Sequence, residues 1–476
     1  AAARAAGRGG DRAQGADKGR FDEGGSERTD PLANPLRAVI AAFACDSCGC
    51  FDAANATGDA KRCARCREAE AGQGRPSWRC AYTTLLYGEK PQFVLGALAL
   101  GCSLVASGSE HDRVLLHTSD VPEAARILLA VFWSLREVPY IRSAPDLHTE
   151  PYHKARFKEV FTKLHAVNPA VLPYDRVVFL DLDTLVLRNI DDLFEVRAPA
   201  AICNMKSRSC AAPVALAHGA RMDPKRTYIN AGCMVLAPSS LLFELLASDV
   251  QSPDPLWHRR SWSPEQGYLS TVMAGEWSNL SQLYNFEVQL HSGVPVSQLW
   301  EEAAAADITV AHFSGHRKVW DCEPDQAAPL LASQWSAETL ERMSAPLRDA
   351  AAARCRALHA EWHRTLALAL RRCRQELGDG LEEAVGAQWA AVATSGDASL
   401  LFGGGAPAAF GGGAGGCPWN VGDAVRVDSG GADLLGVVVR ICPGRGEADD
   451  GGAAPSVTVW RTPRPAVGAS VPAGPF

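Results

Sequence analysis

The sequence predicts an α/β protein built on a parallel sheet. Three observations carry this. Between residues 78 and 324, apolar runs of strand length alternate with longer helical patterns, as strand–helix–strand units require. One run, Val177 to Leu180, is wholly apolar, as a central strand covered on both faces should be. Of 476 residues, 47% are apolar and 21% charged, which excludes a fully disordered or collagen-like chain and allows about three folded units.

The strands predicted in order are residues 81–86, 113–118, 176–180, 200–204, 231–236 and 308–313. Outside this α/β region, residues 1–40 are rich in Ala, Gly, Arg, Asp and Glu without periodicity and are expected to be disordered. Residues 41–70 form a cysteine-rich segment. Residues 336–394 carry a helical pattern: Leu358, Trp362, Leu366 and Leu370, then Leu377, Leu381, Val385 and Trp389. Pro346 restricts where its main helix starts, and Gly378 and Gly380 break it. A helical hairpin packed on the α/β domain fits better than a coiled coil, because the heptad is not sustained. A Gly/Ala-rich flexible linker is expected over 395–416. Residues 417–465 hold three β-patterned runs, 424–427, 435–441 and 457–461. They resemble a small Tudor-like β-barrel, with a docked β-meander as the alternative.

The formal net charge is −7, from 47 basic and 54 acidic side chains. That argues against a nucleic-acid-coating surface, so no nucleic-acid partner is expected. The longest apolar runs, around 38–44 and 127–133, are too short to span a bilayer. A soluble chain is expected, although its first residue is Ala and an anchor may precede it in a longer chain.

Cys45, Cys48, Cys50, Cys63, Cys66 and Cys80 crowd into one stretch, while Cys102, Cys203 and Cys233 sit in apolar runs as small hydrophobes. The pairs Cys45/Cys48 and Cys63/Cys66 are two C-x2-C knuckles, whose four thiolates suit a structural Zn²⁺ in a protein-interaction module. Unpaired or disulfide-linked thiols are the alternative. Reduced thiolates favour an intracellular location. Two N-x-S/T sequons, at Asn55 and Asn279, matter only in a secretory compartment, and the Golgi lumen is the alternative location if an N-terminal anchor is missing.

Asp181 and Asp183 follow the apolar run 177–180. The carboxyl end of a parallel strand is where α/β proteins bind ligands. Two carboxylates one residue apart can hold Mg²⁺ or Mn²⁺ with phosphate oxygens completing the shell. The same D-x-D suits a nucleotide-sugar transferase, a phosphohydrolase with Asp181 as nucleophile, or a plain helix cap.

The wider chain separates these readings. Thr162-Lys163-Leu-His165, the run from Asp181 to Phe194, Asn230-Ala-Gly-Cys-Met-Val-Leu-Ala-Pro238, Glu265-Gln-Gly-Tyr-Leu269, Tyr284-Asn285 and His312-Phe-Ser-Gly-His-Arg-Lys-Val-Trp320 occur in one order. Tyr82 to Tyr87 and Gly96 to Leu104 precede them. This set resembles the family 8 glycosyltransferases, closely the glycogenin branch, over about residues 78–324.

The resemblance implies a GT-A fold, a Rossmann-like α/β domain, and a retaining hexosyltransferase of glucose or galactose type using a UDP-sugar and Mn²⁺ (or Mg²⁺). It implies Asp181, Asp183 and His312 as metal ligands, with Gly315 and Lys318 at the diphosphate. Lys163 and Arg156 would lie near the nucleotide and donor sugar, and Thr83 and Thr84 in the uridine pocket. Asn230 and Gln266 would hydrogen-bond the sugar, with Glu265 beside them where the family usually has Asp. Trp262 stands in place of another acid, Val319 in place of a usual Pro, and residues 287–296 lack the tyrosine that glycogenin glucosylates on itself. The acceptor is therefore a separate carbohydrate or protein, and the terminal modules offer surfaces for protein partners. Glu265 and the flanking modules also leave open a catalytically inactive binding scaffold.

Overall fold

The computed structural model describes residues 35–52, 62–69, 78–143, 159–204, 217–252 except 226, 264–288, 307–315, 318–321 and 343–395, a few isolated positions between them, and the backbone of three strands within 424–461. Arg156, Trp262, residues 1–34 and residues 396–416 lie outside the described residues.

Two short helices come first, α1 (Pro35–Phe43) and α2 (Ala64–Glu68). Residues 35–40, expected to be disordered, are therefore helical. Apolar Ile40 on α1 is buried, and Arg37 donates from Nε to the carbonyl of Ala274 at 2.7 Å.

The main sheet has seven strands in the order β3-β2-β1-β4-β7-β6-β8. They are β1 (Cys80–Leu86), β2 (Asp112–His117), β3 (Ser134–Glu137), β4 (Arg176–Leu180), β6 (Ala200–Cys203), β7 (Ile229–Leu236) and β8 (Ser278–Asn279). All neighbours are parallel except those of β7, which runs antiparallel to both β4 and β6. The sheet is thus mixed rather than parallel. A strand buried on both faces shows the same apolar run in either direction, so its pattern hides its polarity.

Three strands form a second small sheet: β5 (Thr184–Val186), β9 (Phe286–Glu287) and β10 (Val310–His312), with β10 central. This corrects the expectation that the His312 strand shares the sheet of Asp181. β10 pairs antiparallel with β5, which directly follows Asp183, and the small sheet brings the histidine to the carboxylates.

Helices cover both faces. Tyr82, Leu86, Val178 and Leu180 face a core shared with α3 (Pro91–Ala106) and α4 (Glu123–Leu129), while Ala81, Leu85, Val177 and Phe179 face the core under α5 (Ser240–Val250) and α6 (Pro264–Val272). The alternation is the two-residue period of a strand. Two long helices, α7 (Ala345–Leu377) and α8 (Leu381–Ser395), pack on α3 and α4 respectively. Ser344 caps α7 by accepting from Leu347 N, Pro346 lies in its first turn, and Gly378 ends it at φ 58°. Farther on, β11 (Ala424–Asp428), β12 (Asp433–Cys442) and β13 (Ser456–Arg461) form an antiparallel three-stranded meander.

Both sequon asparagines are buried. Asn55 donates to the carbonyls of Phe43 and Cys50, and Asn279 accepts from Cys203 N. Neither presents its amide for glycan attachment in the folded chain. Cys203 is disulfide-bonded, to a partner outside the described residues, and is not the free apolar thiol expected. Among the described residues, no helix is long and apolar enough to cross a membrane.

Candidate active site

β4 delivers Asp181 at its carboxyl end. The Asp181 amide donates to Gly232 O at 2.9 Å, and Asp181 O accepts from Thr184 N (3.1 Å) and Thr184 Oγ1 (2.7 Å). This turn feeds β5 and sets Asp183 beside Asp181. Between them, Leu182 presses its backbone onto α3 at Gly96, where any Cβ would meet Leu182 O at 2.6 Å. A larger residue at 96 would push the acidic turn off its seat.

The ligand atoms of Asp181, Asp183 and His312 all lie within 4.8 Å of one another. His312 Nε2 is 3.3 Å from Asp183 Oδ1. Adjacent ligands of an octahedral cation at about 2.2 Å stand roughly 3.1 Å apart, so this spacing suits a shared ion. Two carboxylates and one imidazole also match a Mn²⁺ donor set.

His312 is aimed from behind. Its Nδ1 lies 2.7 Å from Asn285 Oδ1, which fixes the tautomer with Nδ1–H donating and the Nε2 lone pair facing the carboxylates. Asn285 Nδ2 donates to Asn230 Oδ1 (3.0 Å), which also accepts from Gly232 N (2.8 Å). Gly232 is small of necessity, because a Cβ there would lie 2.6 Å from His312 Nδ1. Asn230 thus spends its carbonyl oxygen on the fold. Gln266 likewise accepts through Oε1 from Ala231 N at 3.0 Å, which ties α6 to β7.

Two ammonium groups lean on the carboxylates. Lys163 Nζ pairs with Asp181 Oδ1 at 2.9 Å and Glu265 Oε1 at 3.4 Å, and lies over the Phe179 ring. Burial works against the charged Lys163, but Asp181 and Glu265 outweigh it and hold its pKa above the ordinary value. Lys318 Nζ pairs with Asp183 Oδ2 at 2.5 Å, from a loop in which Gly315 adopts φ 124°. Burial pushes the Asp183 carboxyl up, yet the Lys318 charge beside it holds it well below the carboxylate range.

Thr83 and Thr84 do not share a pocket. As neighbours on β1 they point to opposite sheet faces, both are wholly buried, and neither hydroxyl has a partner among the described residues. Tyr87 lies just beyond the carboxyl end of β1. Its ring meets Tyr140 edge-on at 6.1 Å, Arg142 lies over Tyr140, and Tyr140 Oη donates to Asp120 Oδ2 at 2.7 Å. Burial raises the Tyr87 hydroxyl pKa, with the Glu265 charge adding to it.

The loop carrying Lys318 is braced by α7. Trp320 packs between Phe93 (6.0 Å) and Trp362 (6.2 Å), and Phe313 meets His359 at 4.9 Å. Burial pushes the His359 imidazole down to about 4, despite its hydrogen bond with Cys355 O.

Cys45, Cys48, Cys63 and Cys66 gather at the other end of β4, joined by Cys50. The tightest set is Cys45, Cys48, Cys50 and Cys63, all within 4.8 Å. The segment is no free-standing module. Its knuckle is docked on the catalytic domain through Ala198 N, which donates to Cys48 O at 3.1 Å.

A model of glycosyl transferase family 8 matches residues 90–323. An uncharacterised protein of Acanthamoeba polyphaga mimivirus, R707, is 31% identical over 250 residues, covering 51% of this chain and 82% of that protein. The chain belongs to glycosyl transferase family 8. The inositol phosphorylceramide glucuronosyltransferase 1 of Arabidopsis thaliana is 30% identical over 269 residues, covering 52% of this chain and 44% of the plant protein. Mouse glycogenin-1 is 29% identical over 240 residues, 48% of this chain and 62% of glycogenin-1. The chain thus spans less than two thirds of the plant and mouse relatives. Family 8 membership and the α/β core make this chain a glycosyltransferase of GT-A type, which displaces the phosphohydrolase reading.

Residue patterns did not single out Asn285, Gly232, Tyr87 or Tyr140 as functional. Asn285 had a signal, since it follows Tyr284 in a motif placed between two strand ends, but its target was invisible.

Proposed function

We propose that this chain is a retaining, metal-dependent hexosyltransferase that draws on a UDP-sugar and serves an acceptor other than itself. The observation that carries the reading is the convergence of Asp181, Asp183 and His312 with two lysines at the carboxyl end of β4. Three carboxylates (Asp181, Asp183, Glu265) face two ammonium groups, a net charge of about −1 that a divalent cation reverses, so a diphosphate then finds a positive site. Asp181, Asp183 and His312 would hold Mn²⁺ or Mg²⁺, and the imidazole nitrogen favours Mn²⁺. The cation supplies Lewis-acid stabilisation of the departing diphosphate.

The chain's own groups do the rest. Lys318 has a partly exposed side chain on a glycine-bearing loop, and can turn from Asp183 to the diphosphate as its negative charge grows. Lys163, pinned between Asp181 and Glu265, holds those two carboxylates in place. Tyr87 and Tyr140 offer an aromatic shelf for the uracil ring, with Arg142 against it. The amide nitrogens of Asn230 and Gln266 face the donor sugar, because their oxygens are already held by backbone N–H groups. The missing tyrosine in residues 287–296 supports a separate acceptor.

The test is UDP release from UDP-glucose, UDP-galactose and UDP-glucuronate, with Mn²⁺ and with EDTA, beside p-nitrophenyl phosphate. The proposal expects Mn²⁺-dependent UDP release from at least one donor and no phosphatase activity. Release that EDTA leaves unchanged, or phosphatase turnover alone, refutes it.

A further inference from the structure

The thiol cluster lies at the amino end of β4, and the catalytic chemistry does not use it. Cys45, Cys48, Cys63 and Cys66 are each at most 8% exposed. Their sulfurs approach in crossed pairs, Cys45 to Cys66 at 3.9 Å and Cys48 to Cys63 at 3.6 Å. In a tetrathiolate site with Zn–S of about 2.3 Å, neighbouring sulfurs stand about 3.8 Å apart. Each of the two contacts has the length of an edge of such a tetrahedron, and both are too long for a disulfide.

The local backbone has the shape of a metal knuckle. Cys45 N donates to Cys50 O (2.9 Å), and Gly49 N to Cys45 O (2.8 Å), a turn closed by Gly49 at φ 75°. Cys63 N donates to the Cys45 sulfur at 3.3 Å, as amides do towards a thiolate. Cys63 directly precedes the short helix α2, which carries Cys66.

A second, independent observation points to a buried anion. Arg176, the first residue of β4, is only 1% exposed. Its Nη2 donates to Cys48 O at 2.5 Å, its guanidinium lies over the Trp78 ring at 4.6 Å, and its Nε and Nη1 have no hydrogen-bond partner among the described residues. Arg65 stacks on the same ring at 5.4 Å. A buried guanidinium with idle donors is costly unless an anion lies nearby. Four thiolates around one Zn²⁺ carry a charge of about −2 and supply that anion.

We propose that Cys45, Cys48, Cys63 and Cys66 bind one structural Zn²⁺, with Cys50 beside the shell and Arg176 as its countercharge. The ion clamps the amino-terminal segment to the transferase domain. Cys48 O accepts from both Arg176 and Ala198 N. Arg197 donates to Cys45 O (3.2 Å) and Asp46 O (2.9 Å), and is held by Glu276 at 2.8 Å. A Cβ at Gly49 would overlap the Ala198 carbonyl, so the knuckle seats directly on this strand entry. β4 runs from this clamp to Asp181, about 17 Å away at roughly 3.3 Å per residue, so the zinc is separate from the catalytic cation.

The test uses the full chain purified under reducing conditions. Elemental analysis should find about one zinc per chain, and X-ray absorption four sulfurs at about 2.3 Å. Cys50→Ser should keep that zinc, while Cys66→Ser should lose at least about nine tenths of it. Because Cys66→Ser may unfold locally, the absorption spectrum of the unmodified chain decides the ligand set. A zinc content below about one fifth per chain, a nitrogen- or oxygen-dominated shell, or a disulfide within the cluster would overturn the proposal. Zinc lost from Cys50→Ser but kept by Cys66→Ser would overturn the assigned fourth ligand.

Discussion

Replacing Asn285 by alanine removes the side chain that aims His312. Asn285 is fully buried, and its carboxamide spans 2.7 Å to His312 Nδ1 and 3.0 Å to Asn230 Oδ1. Asn230 keeps its bond from Gly232 N, whereas His312 loses its acceptor and its fixed tautomer. Loss of such an outer partner costs about 10–100-fold in metal affinity, or about 1.4–2.7 kcal/mol. The same range follows from stranding one buried donor, about 1–3 kcal/mol. Asn285→Asp restores an acceptor for His312 but turns an oxygen towards Asn230 Oδ1, which Gly232 N–H holds in place. It should keep more of the metal affinity than alanine and lose about 1–3 kcal/mol of stability. Mn²⁺ titration in the presence of UDP, by calorimetry or electron paramagnetic resonance, reads the first effect, and chemical denaturation reads the second. An alanine variant with Mn²⁺ affinity within about twofold of the parent refutes the positioning role.

Gly232→Ala should displace the imidazole, since the new methyl would sit 2.6 Å from His312 Nδ1. It should weaken Mn²⁺ binding in the same titration and cost about 1–3 kcal/mol in denaturation. Burial lowers the His359 pKa from 6.5 to about 4, so the unfolded chain binds the extra proton first. This contribution to stability is fully present above about pH 6.5 and is lost as pH falls towards 4, by about 1.4 kcal/mol per unit. His359→Gln should flatten that part of the stability–pH curve, and an unchanged slope would contradict it. Trp362→Ala should destabilise the chain by about 3–5 kcal/mol. By releasing Trp320 it should also raise the donor KM more than it lowers kcat, which steady-state kinetics would show.

Sequence and structure agree where the chemistry is local. Asp181 and Asp183 follow an unbroken apolar run, and His312 opens a run ending in Lys318; the structure brings these four side chains together. The small sheet that delivers His312 was hidden, because three short strands carry too little periodicity to show their partners. The polarity of β7 was hidden for the same reason that its burial was plain: all eight residues are buried. Thr83 and Thr84 looked like a polar pair, but the two-residue period of β1 sends them to opposite cores. Ser344, Pro346 and Gly378 bound the long helix where local backbone chemistry places them.

The central claim is that Asp181, Asp183 and His312 share one divalent cation on which a nucleotide diphosphate docks. An anomalous difference map from crystals grown with Mn²⁺ and UDP tests it most directly. The account predicts one Mn²⁺ peak about 2–2.5 Å from a carboxylate oxygen of each aspartate and from His312 Nε2, with diphosphate oxygens in its shell and Lys318 turned towards them. A Mn²⁺ bound without His312, or UDP seated away from the carboxyl end of β4, would contradict it.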